Sequence, residues 1–162
     1  GRNFYQKQPK EAFPVCDFGY IDTANKTEVR GEGGKTGIFY LALGDAGLYK
    51  LCYDTKTEEI HVKRLTDTGD ACYRMGLGVI GEDRDYLTEE KAIYFCGRLE
   101  GEYGFYRTFD EGKSYERLNQ DNQMYGEINS IDGDKRKFGR FFLATGSRGV
   151  LYGEMKRQSR KI

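Results

Sequence analysis

The sequence predicts an all-β fold of about three four-stranded β-propeller blades, and three observations carry that reading. Glycine is abundant and proline scarce, 22 against 2, among short runs of Tyr, Phe, Ile, Val and Leu. Glycine supplies positive φ in tight turns without steric cost, so this composition describes brief strands joined by sharp reversals. One pattern, an apolar strand, a glycine-containing turn and an aromatic strand, recurs as GIFYLALGDAGLYKLCYDTKTEEIHVKRL from Gly37, AIYFCGRLEGEYGFYRTFDEGKSYERL from Ala92 and RFFLATGSRGVLYGE from Arg140. The anchors Leu48-Tyr49, Phe105-Tyr106 and Leu151-Tyr152 stand 57 and 46 residues apart, close to the repeat length of roughly 40 to 50 residues of a four-stranded blade.

Taken in order, the first blade is expected over residues 15–65, with strands near 15–21 (within PVCDFGYI), 37–43, 47–53 and 59–65. The second covers 71–118, with strands near 71–79 (within ACYRMGLGV), 91–97, 103–109 and 114–118. The third covers 126–154 and has three strands, 126–131, 140–145 and 149–154; the tail MKRQSRKI that follows is mostly charged and carries no period-two apolar face. Residues 1–154 thus read as a partial propeller and 155–162 as a basic C-terminal tail. A propeller closes with about four to eight blades, so these strands leave faces and edges that need covering. The expected partners are the remaining blades, on a longer or a second chain. The N-terminus GRNFYQKQPK, with neither an initiating Met nor a signal-peptide core, reads as though something upstream had been removed.

Composition narrows the function. The 26 basic residues balance the 26 acidic ones, which lacks the electrostatic footprint of a nucleic-acid binder. No apolar run approaches the roughly 18 residues that span a bilayer, so no membrane partner is expected. The four cysteines, Cys16, Cys52, Cys72 and Cys96, show no CxxC spacing, and His61 is the single histidine; neither a metal nor a cofactor is expected. Two readings stay open for Cys72 and Cys96. They form a disulfide if a hairpin centred near Arg84 sets them face to face, or they are buried free thiols.

The turn in YRTFDEGKSYERL fits S/T-x-D-x-G-x-S/T-aromatic through Thr108, Asp110, Gly112, Ser114 and Tyr115, the Asp box, or BNR repeat, of sialidase-like propellers. An aspartate two residues before a glycine can accept hydrogen bonds from turn amides, and the aromatic can pack between neighbouring sheets. The turn itself uses each of these residues, so the expectation for Asp110 is structural rather than catalytic. The matching turn YDTKTEE keeps Asp54 but lacks the glycine.

From Tyr103 to Glu154 the sequence resembles the C-terminal end of glycoside hydrolase family 74, the xyloglucan-cleaving endoglucanases and related reducing-end-specific enzymes. Gly133-Asp134, Gly139-Arg140, Thr145-Gly146 with Arg148-Gly149, and Tyr152-Gly153 keep the family's spacing, while GLYKL at Gly47 and GLGVIGE at Gly76 resemble upstream family segments. Tyr115 stands where the family has tryptophan, and Gln123 where it usually has histidine. The resemblance implies part of a seven-bladed propeller in a secreted, extracellular endo-β-1,4-glucanase of the xyloglucanase type, a hydrolase of polysaccharide metabolism. The family's two catalytic aspartates lie toward the start of each propeller, and no carboxylate here matches either; no catalytic residue is therefore assigned within this chain.

A glycosidase working alone would need two carboxylates about 5 to 9.5 Å apart across a sugar, a pairing that sequence does not establish. The acidic loop of residues 81–90 reads as solvated. In NQDNQMYG, Asn119, Asp121, Gln123 and Tyr125 are the expected substrate-binding residues, since amides, a carboxylate and a tyrosine hydrogen-bond and stack on sugars. Tyr73 and Arg74 are weaker candidates. The alternative function is a noncatalytic propeller module that binds glycan or protein.

Overall fold

A computed structural model describes residues 26–28, 36–54, 56–86 and 90–155. Those residues form strands and turns without a helix, in three antiparallel sheets. The first sheet contains β1 (Lys26–Glu28), β2 (Thr36–Ala42), β3 (Leu48–Asp54) and β4 (Ile60–Arg64), in that order. The second contains β5 (Ala71–Gly78), β6 (Ala92–Leu99), β7 (Glu102–Thr108) and β8 (Glu116–Arg117). In the third, β10 (Phe141–Thr145) lies between β9 (Ile128–Gly133) and β11 (Val150–Gly153).

The strand expected near residues 15–21 lies outside the described residues. The neighbour of β2 is instead β1, with Thr27 opposite Ile38. At the other end of the pattern, β8 is shorter than expected, because the turn before it extends through Ser114, whose N–H is held by Asp110.

The second sheet is covered on both faces, and its sequence shows it. β6 is buried at every position but Arg98, the near-continuous apolar run of a strand packed on two sides rather than the alternation of a half-solvated one. β4, by contrast, alternates between partly buried and exposed residues. Toward the first sheet, Met75, Leu77, Ile93, Phe95 and Tyr106 pack with Ile38, Tyr40 and Leu48. Toward the third, Tyr94, Cys96 and Phe105 pack with Ile128, Ile131, Phe141 and Leu143, and Tyr94 stacks on Phe141 with ring centroids 5.7 Å apart.

A bulge decides the cysteine question. Between Cys72 and Arg74 the β5 register shifts, so Cys72 lies opposite Gly97 and Cys96 opposite Arg74. An extra residue reverses which face the following side chains take. Cys72 therefore faces the first sheet and Cys96 the third, and both are free thiols, as is Cys52; Cys16 lies outside the described residues. The disulfide alternative for Cys72 and Cys96 is thereby corrected. Burial pushes both thiols up, Cys96 to about 11, which leaves them protonated and unreactive at neutral pH.

Neighbouring sheets meet most closely along β5. Its Gly76 and Gly78 lie against the β9 backbone: a Cβ on Gly76 would collide with Asp132 Cα and Ile131 O, and one on Gly133 would sit 2.6 Å from Gly78 Cα. The Leu77 N–H donates to Asp132 Oδ1 at 3.0 Å and the Val79 N–H to Asp134 O at 2.9 Å. Lys135 closes the contact, donating to both Leu77 O and Asp132 Oδ1. On the other side, Gly44 and Cys72 exchange two backbone hydrogen bonds of 2.8 Å.

We expect Gly76→Ala to destabilise the fold by about 1 to 3 kcal/mol, the usual cost of an added methyl where the backbone cannot retreat. A lower urea midpoint at unchanged m-value would report it; an unchanged midpoint would show that β5 and β9 can separate freely.

Candidate functional site

The antiparallel order divides the loops between two ends of the sheets. At one end lie the β3–β4 and β7–β8 turns and the long β5–β6 and β9–β10 loops. At the other lie the hairpin turns near Asp45, Gly101 and Arg148, with the linkers 65–70 and 118–127 that join successive sheets. The motif turn at Thr108–Tyr115 and the sugar-contact candidates at Asn119–Tyr125 therefore occupy opposite ends.

The motif turn is closed on itself. Thr108 Oγ1 donates to Asp110 Oδ1 at 2.8 Å and accepts the Gly112 N–H at 2.9 Å. Asp110 Oδ1 also accepts the Ser114 N–H at 2.9 Å, and Oδ2 accepts the Ser114 hydroxyl at 2.6 Å. These donors lower the Asp110 carboxyl to about 2, with Ser114 the main cause. Gly112 has φ +84°, and a Cβ there would lie 2.5 Å from the Tyr115 hydroxyl and 2.7 Å from Leu65 O; both conformation and space require glycine. Tyr115 spans the gap to the first sheet, donating to Leu65 O at 2.7 Å and meeting Phe95 edge-on at 5.7 Å. Between them, Glu111 reaches back to Lys50 and Lys63 on the first sheet. In the corresponding turn of that sheet, Asp54 Oδ1 accepts the Lys56 N–H at 2.7 Å, so the aspartate's acceptor role persists without the glycine.

At the same end, the loop of residues 81–90 is acidic and largely exposed where described, with Arg84 3.9 Å from Glu90. Tyr86 fastens it: Lys91 and Lys135 sit 4.4 and 5.0 Å from the ring centroid, a cation–π arrangement. His61 is exposed, 3.7 Å from Glu59. Among the described residues, no three His, Cys, Asp or Glu side chains gather to hold a metal ion.

At the opposite end, the four residues predicted to contact sugar differ in what they can offer. Asn119 is buried; its Oδ1 accepts the Phe105 N–H at 2.8 Å and its amide donates to Gln120 O at 3.2 Å. Gln123 Oε1 accepts the Gln120 N–H at 3.0 Å. The Asp121 side chain is 89% exposed and pairs with Arg117 at 2.8 Å. Tyr125, at φ +55°, lies parallel to Phe105, centroids 6.4 Å apart, and stays partly exposed. Asp121 is thus exposed and Gln123 and Tyr125 are partly so, while Asn119 fixes the linker beneath them.

Tyr73 and Arg74, on the β5 bulge, also reach this end. Arg74 Nε donates to Asn129 O at 3.1 Å, and the Tyr73 hydroxyl donates to Asp45 Oδ1 at 2.9 Å. Tyr103 lies beside Tyr73, its hydroxyl raised to about 12, first by burial and then by Cys96. Sequence reasoning did not single out Tyr103, Asp45 or Arg98 here, since they come from separate strands and turns and carry no motif spacing.

No protein-family model matches the sequence. Over 163 aligned residues, covering 95% of this chain and 18% of the relative, it is 29% identical to a xyloglucanase of Acetivibrio thermocellus. It is 31% identical over 125 residues, 75% of this chain and 14% of the relative, to a probable oligoxyloglucan-reducing end-specific xyloglucanase of Neosartorya fischeri. Among solved structures, a glycoside hydrolase family 74 xyloglucanase from Xanthomonas campestris superposes with a TM-score of 0.58 at 26% identity, over 81% of this chain and 17% of the other. The chain spans less than a fifth of the length of the curated relatives it matches.

We expect Asp110→Ala to cost about 1 to 2 kcal/mol at pH 7, the loss of several hydrogen bonds to a charged but partly exposed acceptor. The folded carboxyl is lowered to about 2, below the ordinary Asp value near 3.9. Its stabilisation is thus complete above about pH 4 and is lost as pH falls toward 2. Urea midpoints of the two proteins should converge over that window; a gap unchanged between pH 5 and pH 2 would remove Asp110 as the titrating support of the turn.

Proposed function

Because this chain is a partial segment of the glycoside hydrolase family 74 type, we propose that it contributes propeller scaffold and substrate-cleft contacts to a secreted enzyme acting on β-1,4-glucan or xyloglucan. The observation that carries the reading is similarity to xyloglucanases along 95% of the chain. In this reading the motif turn is an Asp box that ties one blade to the next. The cleft contacts come from the other end of the sheets, through Asp121, Gln123 and Tyr125, with Asn119 holding their linker. The catalytic carboxylates come from outside these residues. Several carboxylates here already have fixed partners: Asp110 in its turn, Glu116 on Arg107, and Glu154 on Lys137 and Arg140.

The third sheet favours burial against further blades. Phe142 lies opposite Tyr152 on one face, where Val150 and Tyr152 are 70% and 69% exposed. Leaving such apolar area in water forgoes about 25 cal/mol per Å². Blades on the same polypeptide or a second chain would cover that face and pair the outer edge of β11.

Two measurements test this reading. Tyr125→Ala, in the folded polypeptide that carries this segment, should weaken binding of xylosylated cello-oligosaccharides by about 1 to 2 kcal/mol in titration calorimetry; unchanged affinity would remove Tyr125 from the cleft. The 162 residues alone should self-associate in light scattering and show no xyloglucan hydrolysis. A monodisperse monomer with sharp two-state unfolding would overturn the need for further blades, and turnover by that monomer would overturn the placement of the catalytic carboxylates.

A further inference from the structure

The β5 bulge does more than separate two thiols. Tyr73 is its extra residue, and a bulge re-aims the side chain it carries. The ring lies 6.3 Å from that of Tyr103 at 35°. Neither ring belongs to the two cores of the second sheet, and Tyr103 is 37% exposed. Both are nevertheless held in place. The Tyr73 hydroxyl is bound to Asp45 Oδ1, which also lies 3.5 Å from Arg98 Nη2. The Tyr103 hydroxyl is hydrogen-bonded to the Cys96 thiol, and Arg117 ties the Tyr103 backbone to the 119–125 linker, its Nη2 lying 3.3 Å from the Tyr103 carbonyl oxygen and 2.8 Å from Asp121 Oδ1.

Two fixed aromatic faces with a carboxylate and a guanidinium at their rim suit one ligand chemistry. The axial C–H groups of a pyranose are weakly positive and lie well on the negative face of an aromatic ring, while its equatorial hydroxyls point outward to donors and acceptors. A fully apolar ligand would leave the rim of Asp45 and Arg98 unmatched, and that pair, 3.5 Å apart, carries no net charge to draw an anion. We propose that Tyr73 and Tyr103, with Asp45 and Arg98 at their rim, form a hexose-stacking position that continues the glycan contact of the 119–125 linker along this end of the sheets. The proposal rests on the reading that this end meets a polysaccharide.

The test uses the folded polypeptide that carries this segment, with a xylosylated cello-oligosaccharide and unsubstituted cellotetraose as probes. Tyr103→Ala should lower affinity for at least one probe about three- to tenfold, while Tyr103→Phe stays within about twofold, since the ring carries the contact. Ring-labelled tyrosine NMR of the unsubstituted protein gives a readout independent of any variant's folding: the Tyr73 and Tyr103 signals should shift on adding the probe. If Tyr125→Ala weakens binding but Tyr103→Ala does not and neither ring signal moves, the stacking position is overturned and the linker contact stands. If the unsubstituted protein binds neither probe, both fall, and this end is left to a protein partner.

Discussion

Contact between the backbones of β5 and β9 is the constraint on which the rest of this structure depends. Gly76, Gly78 and Gly133 remove the side chains that would hold the two strands apart, and Asp132 then reaches the Leu77 N–H across the gap. Two sheets touching along one strand each must diverge from that line, since strands on either side of a contact twist relative to one another. The Tyr94 ring lies against Gly78 and Gly133 and stacks on Phe141, filling the space that the missing side chains leave. On its other side the same central sheet meets the first through Gly44 and Cys72, where Leu48, Phe95 and Tyr106 fill the gap.

That arrangement gives the two ends of the strands different character. At one end, Tyr115, Glu111 and Tyr86 are engaged across sheets or along loops, and the polar atoms of Thr108 and Asp110 satisfy one another. Such a turn resists opening and offers little to a ligand. At the other end, hairpin turns and linkers leave Asp45, Asp121 and Tyr103 reaching solvent from positions fixed by the strands beneath them. These groups are ordered by their partners and still reach water.

Cys72 and Cys96 show how much one inserted residue changes. Had the register that pairs Arg74 with Cys96 run on unbroken, Cys72 would take the same face as Cys96, whereas the bulge places one in each core. The same local irregularity thus suits the thiols to apolar burial and sets Tyr73 beside Tyr103.

Much was legible in the sequence, because it depends on short-range chemistry. The all-β class and most strand positions follow from period-two patterning and glycine spacing. The motif turn follows from residues within eight positions of one another, whose bonds form wherever that segment folds. Asp110 is such a case, its partners Thr108 and Ser114 lying two and four residues away. The β5 bulge was not legible, since the sequence ACYRMG reads equally as a regular strand and only the register against β6 distinguishes the two. Nor was the first sheet's outer strand at Lys26–Glu28, whose pairing with β2 comes from backbone groups that every residue carries. Nor did the sequence show that the Asn119 oxygen accepts the Phe105 N–H from a neighbouring strand. Sequence by itself determined where most strands and turns fall, because propensity and turn chemistry act between near neighbours. Tertiary structure alone decided which face each side chain takes and which polar atoms stay available, because both depend on contacts between residues far apart in the chain.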